Sequence, residues 1–164
     1  MSRYRVKQFI WAITSYFQED NIEILNKYLN KDELEIFMKL KKSERMHSLR
    51  VYNAAIQYVE ENELKIDRNK LAKCSLLHDI GKTEVSINIV EKSIFIILNF
   101  ITGNKFLKYN KRVAKYYKHG ELGANILANL KEDDDIVECV KNHHNRSNSE
   151  NLYLKIISIC DDYS

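Results

Sequence analysis

The string Leu76-Leu77-His78-Asp79-Ile80-Gly81-Lys82 decides how this chain is read. Two leucines close an apolar helical run, a histidine and an aspartate follow side by side, and a glycine comes just after, where helices commonly end. Asp79 therefore stands at the C-terminal end of a helix, where the dipole disfavours an anion. A divalent cation would reverse that local logic. Read in isolation, the aspartate serves equally well as a solvated residue beside a turn.

Working outward, the chain holds five histidines, and all five fall into one order with two aspartates: His47, His78-Asp79, His119, His143-His144, Asp161. Imidazoles and carboxylates at these separations meet only if several helices fold them into one pocket. His47 shares a helix face with Val51 and Ala54, which alone suits a core histidine bonded to a backbone carbonyl. His119 opens a helix in Lys118-His119-Gly120-Glu121, and the positive helix end favours neutral imidazole, the metal-binding form. A capping or surface histidine is the plain alternative there. His143 and His144 adjoin at a helix end. Neighbours diverge by about 100° inside a helix, so both reach one pocket only where the helix stops. If one alone binds, His143 is preferred and His144 becomes a surface residue. Asp161 follows Leu154 and Ile157 on an apolar face, where an unpaired buried carboxylate is costly; Asp162 points elsewhere, to solvent.

The remaining periodicity is helical almost throughout. Apolar residues recur at helix spacing over Tyr4 to Phe17, then around Ile22, Leu25 and Leu29 behind Asp20 or Asn21, then from Asp32 through Leu34, Phe37 and Leu40. These first 42 residues read as a packing extension. Ser43 is placed as the cap of a long helix to about Asn62, and Asp67 as the cap of the helix that ends near Gly81. Residues 86–101 fit a helix, although their Ile and Phe content leaves a strand open. Further helices are expected over Lys105 to Lys118, Glu121 to Leu130, Asp133 to about His143, and Leu152 to Tyr163, with a polar loop from Asn145 to Asn151. Proline is absent and glycine occurs four times, which suits a mainly helical chain. The fold class is accordingly all-α: a single-domain helical bundle, with residues 1–42 as an N-terminal helical extension and residues 43–164 as the functional unit.

Length and charge narrow the class. At 164 residues with 45% hydrophobic content, one domain with a real core is expected. A net charge of +3 suits small anions and makes nucleic acid an unlikely partner. The opening MSRYRVKQF lacks an apolar core, so no signal peptide is expected, and the apolar run Ile94 to Ile101 is far shorter than the ~20 residues of a membrane span. Cys74, Cys139 and Cys160 form no CxxC and lie in apolar helical patterns, as reduced core thiols of a cytoplasmic protein do.

With His47, His78-Asp79 and Asp161 forming the order H…HD…D, and LLHDIGK matching an HDIG string, the chain resembles the HD-domain superfamily of metal-dependent phosphohydrolases. The string matches the HDIG subgroup, the resemblance covers roughly residues 43–163, and the extension before it looks like the lead-in of small stand-alone bacterial proteins of the superfamily. The resemblance implies one metal held by His47, His78, Asp79 and Asp161, and a second held by Asp79, His119, His143 and His144. A GYP motif typical of one cyclic-dinucleotide branch is absent after His144. Two divalent transition metals are implied, iron or manganese first, with zinc, nickel, cobalt or magnesium as substitutes. The implied activity is hydrolysis of a phosphate ester or anhydride, of a nucleotide or dinucleotide, by metal-activated water. A di-iron oxygenase of the same fold and a non-catalytic signalling module are the alternatives.

Asp79 and Lys82 are the catalytic candidates. Lys82, on the turn after the ligand helix, is a candidate cation for phosphate or the leaving group, and Arg50, one turn after His47, for phosphate contact. The basic run Lys105, Lys108, Lys111, Arg112, Lys115 and Lys118 fits a solvated helix face better than a nucleotide-attracting wall. The sequence leaves substrate and oligomeric state open.

Overall fold

Residues 14, 18–85, 91, 111–145 and 150–163 are described by the computed structural model. Among them are eight α-helices, one 3-10 turn and no strand. The helices are α1 (Ile22–Tyr28), α2 (Lys31–Met38), α3 (Lys42–Glu61) and α4 (Arg68–Leu77), then, after the 3-10 turn Ile80–Glu84, α5 (Lys111–Tyr116), α6 (His119–Asn129), α7 (Asp134–Asn142) and α8 (Leu152–Tyr163). The all-α expectation therefore holds for the described residues. The helix expected over Tyr4 to Phe17 and the segment 86–101 lie outside them, apart from Thr14 and Glu91.

Helix starts follow side-chain capping, and two differ from the sequence reading. Helix α2 is capped by Asn30, not opened by Asp32: the Asn30 side chain accepts from the Asp32 and Glu33 amides, and Glu33 reaches back to the Asn30 amide. This reciprocal capping box satisfies amides that a helix start leaves unpaired. Helix α3 begins a residue before Ser43, and it is Glu44 that accepts from the Lys41 amide at 3.1 Å. Asp67 and Asp133 cap α4 and α7 as read.

The main apolar core draws on every described helix except α5, whose Tyr116 packs with Val85 and Leu122 in a separate small cluster. Leu25 and Phe37 from α1 and α2 are fully buried with Leu71, Leu76 and Leu77 of α4, Ile136 of α7, and Ile156 and Ile157 of α8. Burying side chains of this size stabilises by about 1.5–3 kcal/mol each against exposure. Helix α3 packs along α4, α6 along α7, and α8 lies across α3, α4 and α7. The 3-10 turn sits against α6 at a junction of glycines. A Cβ on Gly123 would meet Val140 Cγ1 at 2.8 Å, and one on Gly120 the Lys141 carbonyl oxygen at 2.6 Å. Backbones approach this closely only where side chains are missing. That junction draws the ends of α4, α6 and α7 together. No described helix is long and apolar enough to cross a membrane.

Candidate metal centre

The ends of α4, α6 and α7 each deliver a histidine, and α3 and α8 add one group apiece from their flanks. Local sequence explains the aim of the three buried imidazoles. His78 is the C-cap of α4, His119 the first residue of α6, and His143 the C-cap of α7. In each, Nδ1 lies against the carbonyl oxygen three residues back: Ser75 at 2.8 Å, Tyr116 at 2.8 Å and Val140 at 2.7 Å. A carbonyl only accepts, so Nδ1 carries the hydrogen and Nε2 is left with its lone pair. Metal-binding histidines are commonly held in this way.

The Nε2 atoms converge on Asp79, which is 1% exposed. Asp79 Oδ1 lies 3.1 Å from His119 Nε2 and 3.7 Å from His143 Nε2. Asp79 Oδ2 lies 3.5 Å from His78 Nε2 and 3.9 Å from His47 Nε2. Asp161 closes the second side, its Oδ1 2.8 Å from His47 Nε2 and 3.7 Å from His78 Nε2. His144, exposed on its outer edge, brings Nε2 to 3.1 Å from His119 Nε2 and Nδ1 to 3.6 Å from Asp161 Oδ2. Two sets thus have donor atoms all within 4.8 Å of one another: His47, His78 and Asp161, and Asp79, His119, His143 and His144.

The electrostatics suit a cation. Burial pushes the Asp79 carboxyl up, but Lys82, His78 and His119 outweigh it and hold the group well below the usual carboxylate range. Burial likewise opposes, and His47 and His78 overcome it, for Asp161. At His78, Asp79 and Asp161 outweigh burial and raise its pKa. Burial lowers His47 and His143, and brings His144 down to about 4, so these stay neutral near pH 7. Asp79 and Asp161 thus bring two carboxylates to this cluster, with Lys82 the ammonium paired to Asp79, a charge balance that suits a divalent cation. His78 Nε2 and Asp79 Oδ1 are moreover buried with no properly directed hydrogen bond. Such atoms are costly unless something fills the place. The residues fit a divalent metal on this ground.

Lys82 is nearly buried, paired with Asp79 Oδ2 and 5.9 Å from the Tyr116 ring centroid. Arg50 is half-buried one turn beyond His47 on α3. Three supporting residues escape a sequence reading. Glu44 lies one turn before His47, and burial raises its carboxyl against the pull of Lys82. The Ser158 hydroxyl donates to the His143 carbonyl at 2.9 Å. Tyr116 contributes its backbone to His119. Of these, Ser158 alone leaves a trace: it precedes Asp161 by one turn on the inward face of α8.

The family model described as HD domain matches residues 45–164. Ribonuclease Y of Mycoplasmoides gallisepticum is 28% identical over 104 residues, which is 61% of this chain and 15% of the length of that protein. No solved structure matches the chain significantly.

Proposed function

The chain belongs to the HD domain family, and from that premise we propose that it is a phosphohydrolase cleaving a phosphate ester or anhydride of a nucleotide or dinucleotide with metal-activated water. The observation that carries the reading is the double aspect of Asp79, with Oδ1 turned to His119 and His143 and Oδ2 to His78 and His47. A carboxylate with one oxygen toward each donor set would be available to an ion held by either. One ion would be held by His47, His78, Asp79 and Asp161, the other by Asp79, His119, His143 and His144. When bound, such ions bring the pKa of a coordinated water toward neutrality and withdraw charge from phosphoryl oxygens. Mixed nitrogen and oxygen donors suit iron or manganese, with zinc, nickel, cobalt or magnesium as substitutes.

The chain's own contribution is preorganisation. The Ser75, Tyr116 and Val140 carbonyls keep three imidazoles aimed inward before substrate arrives. Lys82 stands beside Asp79, placed to neutralise charge that develops on phosphorus-bound oxygens. Arg50 is offered as a further phosphate contact from the His47 helix. Residues 1–42 are read as a helical extension and 43–164 as the catalytic unit. The free, buried Cys74, Cys139 and Cys160 support a reducing, cytoplasmic setting. The matched relative is by name a ribonuclease, so a short RNA belongs in the substrate panel.

Elemental analysis of protein purified without chelator, with the same sample run on nucleotides, dinucleotides, phosphate esters and short RNA, tests the reading. About two transition-metal ions per chain with release of phosphate or nucleotide is expected. No metal after reconstitution with manganese or iron, or substrate consumption that requires oxygen, overturns it.

A further inference from the structure

Next to the metal centre, on the side of His143 and His144, a cleft of about 270 Å³ opens between the start of α6 and the end of α7. His143 and His144 line it together with Tyr117, Lys118, Glu121, Lys141 and Asn142. Tyr117 is 60% exposed, whereas its neighbour Tyr116 is buried. The Tyr117 ring stands edge-on to the Tyr116 ring, centroids 6.0 Å apart, so a fixed neighbour orients the exposed ring. Lys118, just before α6, and Lys141 of α7 line the same cleft, and Glu121, which also lines it, only partly offsets Lys118, at 3.9 Å and with both side chains mostly in solvent.

An aromatic face, two cations and an amide side chain opening directly onto metal-ligand candidates form the combination that holds a flat ring attached to an anion. Bases stack on aromatic side chains without regard to their sequence, and lysines track the phosphate. The cleft lies just below the ~300 Å³ lower end of ligand pockets, with room for one base and not for a folded partner.

We propose that this cleft is the base subsite of the enzyme, with Tyr117 the platform on which the nucleobase of the substrate stacks while its phosphate faces Asp79. The inference rests on the phosphohydrolase reading for the phosphate's position, and it adds what that reading leaves open, the recognition of the group attached to phosphorus. Free nucleotide and the end of an RNA strand share the chemistry of a base beside a phosphate.

The test is calorimetric titration of the metal-reconstituted full chain with two hydrolysis-resistant probes, adenosine 5′-methylenephosphonate and methylphosphonate. The nucleoside probe is expected to bind more tightly to the native protein. Tyr117→Ala should weaken that binding by about tenfold, leave methylphosphonate unchanged and leave metal content at the native level, and Tyr117→Phe should restore it. Equal affinity of the native protein for both probes, or a nucleoside affinity untouched by Tyr117→Ala, overturns the subsite. A four-residue oligoadenylate separates the sources: tighter binding than the mononucleotide probe assigns the cleft to an RNA end, weaker or equal binding to free nucleotide. Tyr117-dependent binding of the nucleoside probe with no hydrolysis across the nucleotide, dinucleotide, phosphate-ester and RNA panel sinks the enzyme reading and leaves the subsite. Hydrolysis with no preference for a nucleoside does the reverse.

Discussion

Gly81 lies so close under His119 that any side chain at position 81 would collide with the His119 carbonyl oxygen, and with the Gly123 amide nitrogen at 2.5 Å. Both obstacles are backbone, so neither can rotate aside. Gly81→Ala is therefore expected to push α6 away from the 3-10 turn. Overpacking of this kind costs about 1–3 kcal/mol, which in a domain of this size is roughly 3–10 °C of melting temperature. Because His119 moves with α6, metal retention should fall with stability. A calorimetric scan and a metal assay on the variant check both, and an unchanged melting temperature would refute the close approach.

Removing the centre of the cluster should separate metal from fold. His78→Ala or Asp79→Ala is expected to abolish bound metal and activity together, with helical circular dichroism largely retained. His119→Ala should instead keep about half the metal, because it touches one of the two donor sets. Full activity in either His78 or Asp79 variant would sink the site assignment.

That the five histidines and two aspartates would converge was legible in sequence, because chemistry restricts which residue types suit a metal and the chain has few histidines to distribute. The helices were legible from apolar spacing, and the caps Asp67 and Asp133 from their position before it. What sequence could not give is carried by backbone and by contacts distant along the chain. Three carbonyls aim the imidazoles, and a carbonyl is the same on every residue. The Glu33 reach that makes Asn30, and not Asp32, the cap of α2 is a competition between two reasonable caps that packing resolves. His144 reaches the cluster because α7 ends at Asn142, a boundary that periodicity fixes only to within a residue or two.

Ser158 is expected to act through His143. Its hydroxyl holds the His143 carbonyl at the point where α7 stops and two histidines leave the helix. Ser158→Ala removes one hydrogen bond, about 1 kcal/mol of stability. Supporting residues of metal ligands commonly change affinity by about tenfold or more. Metal titration should therefore show one of two ions bound about tenfold more weakly, while a purely structural serine would leave both unchanged.

Lys82 offers a cleaner separation of charge from coordination. It pairs with Asp79, yet an ammonium group is not a metal ligand at neutral pH, and its pKa is raised despite burial by Asp79 and Tyr116. Lys82→Met keeps the length of the stem and removes the charge. Metal content should stay at the native level and kcat should fall on the order of a hundredfold, the scale seen when one preorganised charge-stabilising donor is lost. Loss of metal with the charge would show that the pair is structural.

Stability should depend on pH through a second buried charge cluster, away from the metal centre. Lys73 of α4 lies 2.8 Å from Glu33 of α2 and 2.7 Å from Glu132 beyond α6, so it ties the N-terminal helices to the core. The two partners differ in what dominates: burial raises the Glu33 carboxyl despite the lysine, while the two glutamates outweigh burial and raise Lys73. Glu33 has the fully enclosed side chain, so its desolvation governs the pH response. A carboxyl raised in the folded state binds its proton more readily there than in the unfolded chain, so its contribution is present at low pH and lost as pH rises through the folded value. Lys73→Met removes the counter-charge, which raises Glu33 further and should cost about 2 kcal/mol at pH 7, part of the penalty for breaking a buried pair. The deficit against the native protein should shrink as pH is lowered from 7 to 5, because protonated Glu33 no longer needs the lysine. Glu33→Gln keeps an acceptor for the Asn30 amide and should lie within about 1 kcal/mol of native at pH 7. Melting temperatures of the three proteins at both pH values decide it, and a Lys73→Met deficit that grows on acidification would reverse the assigned sign.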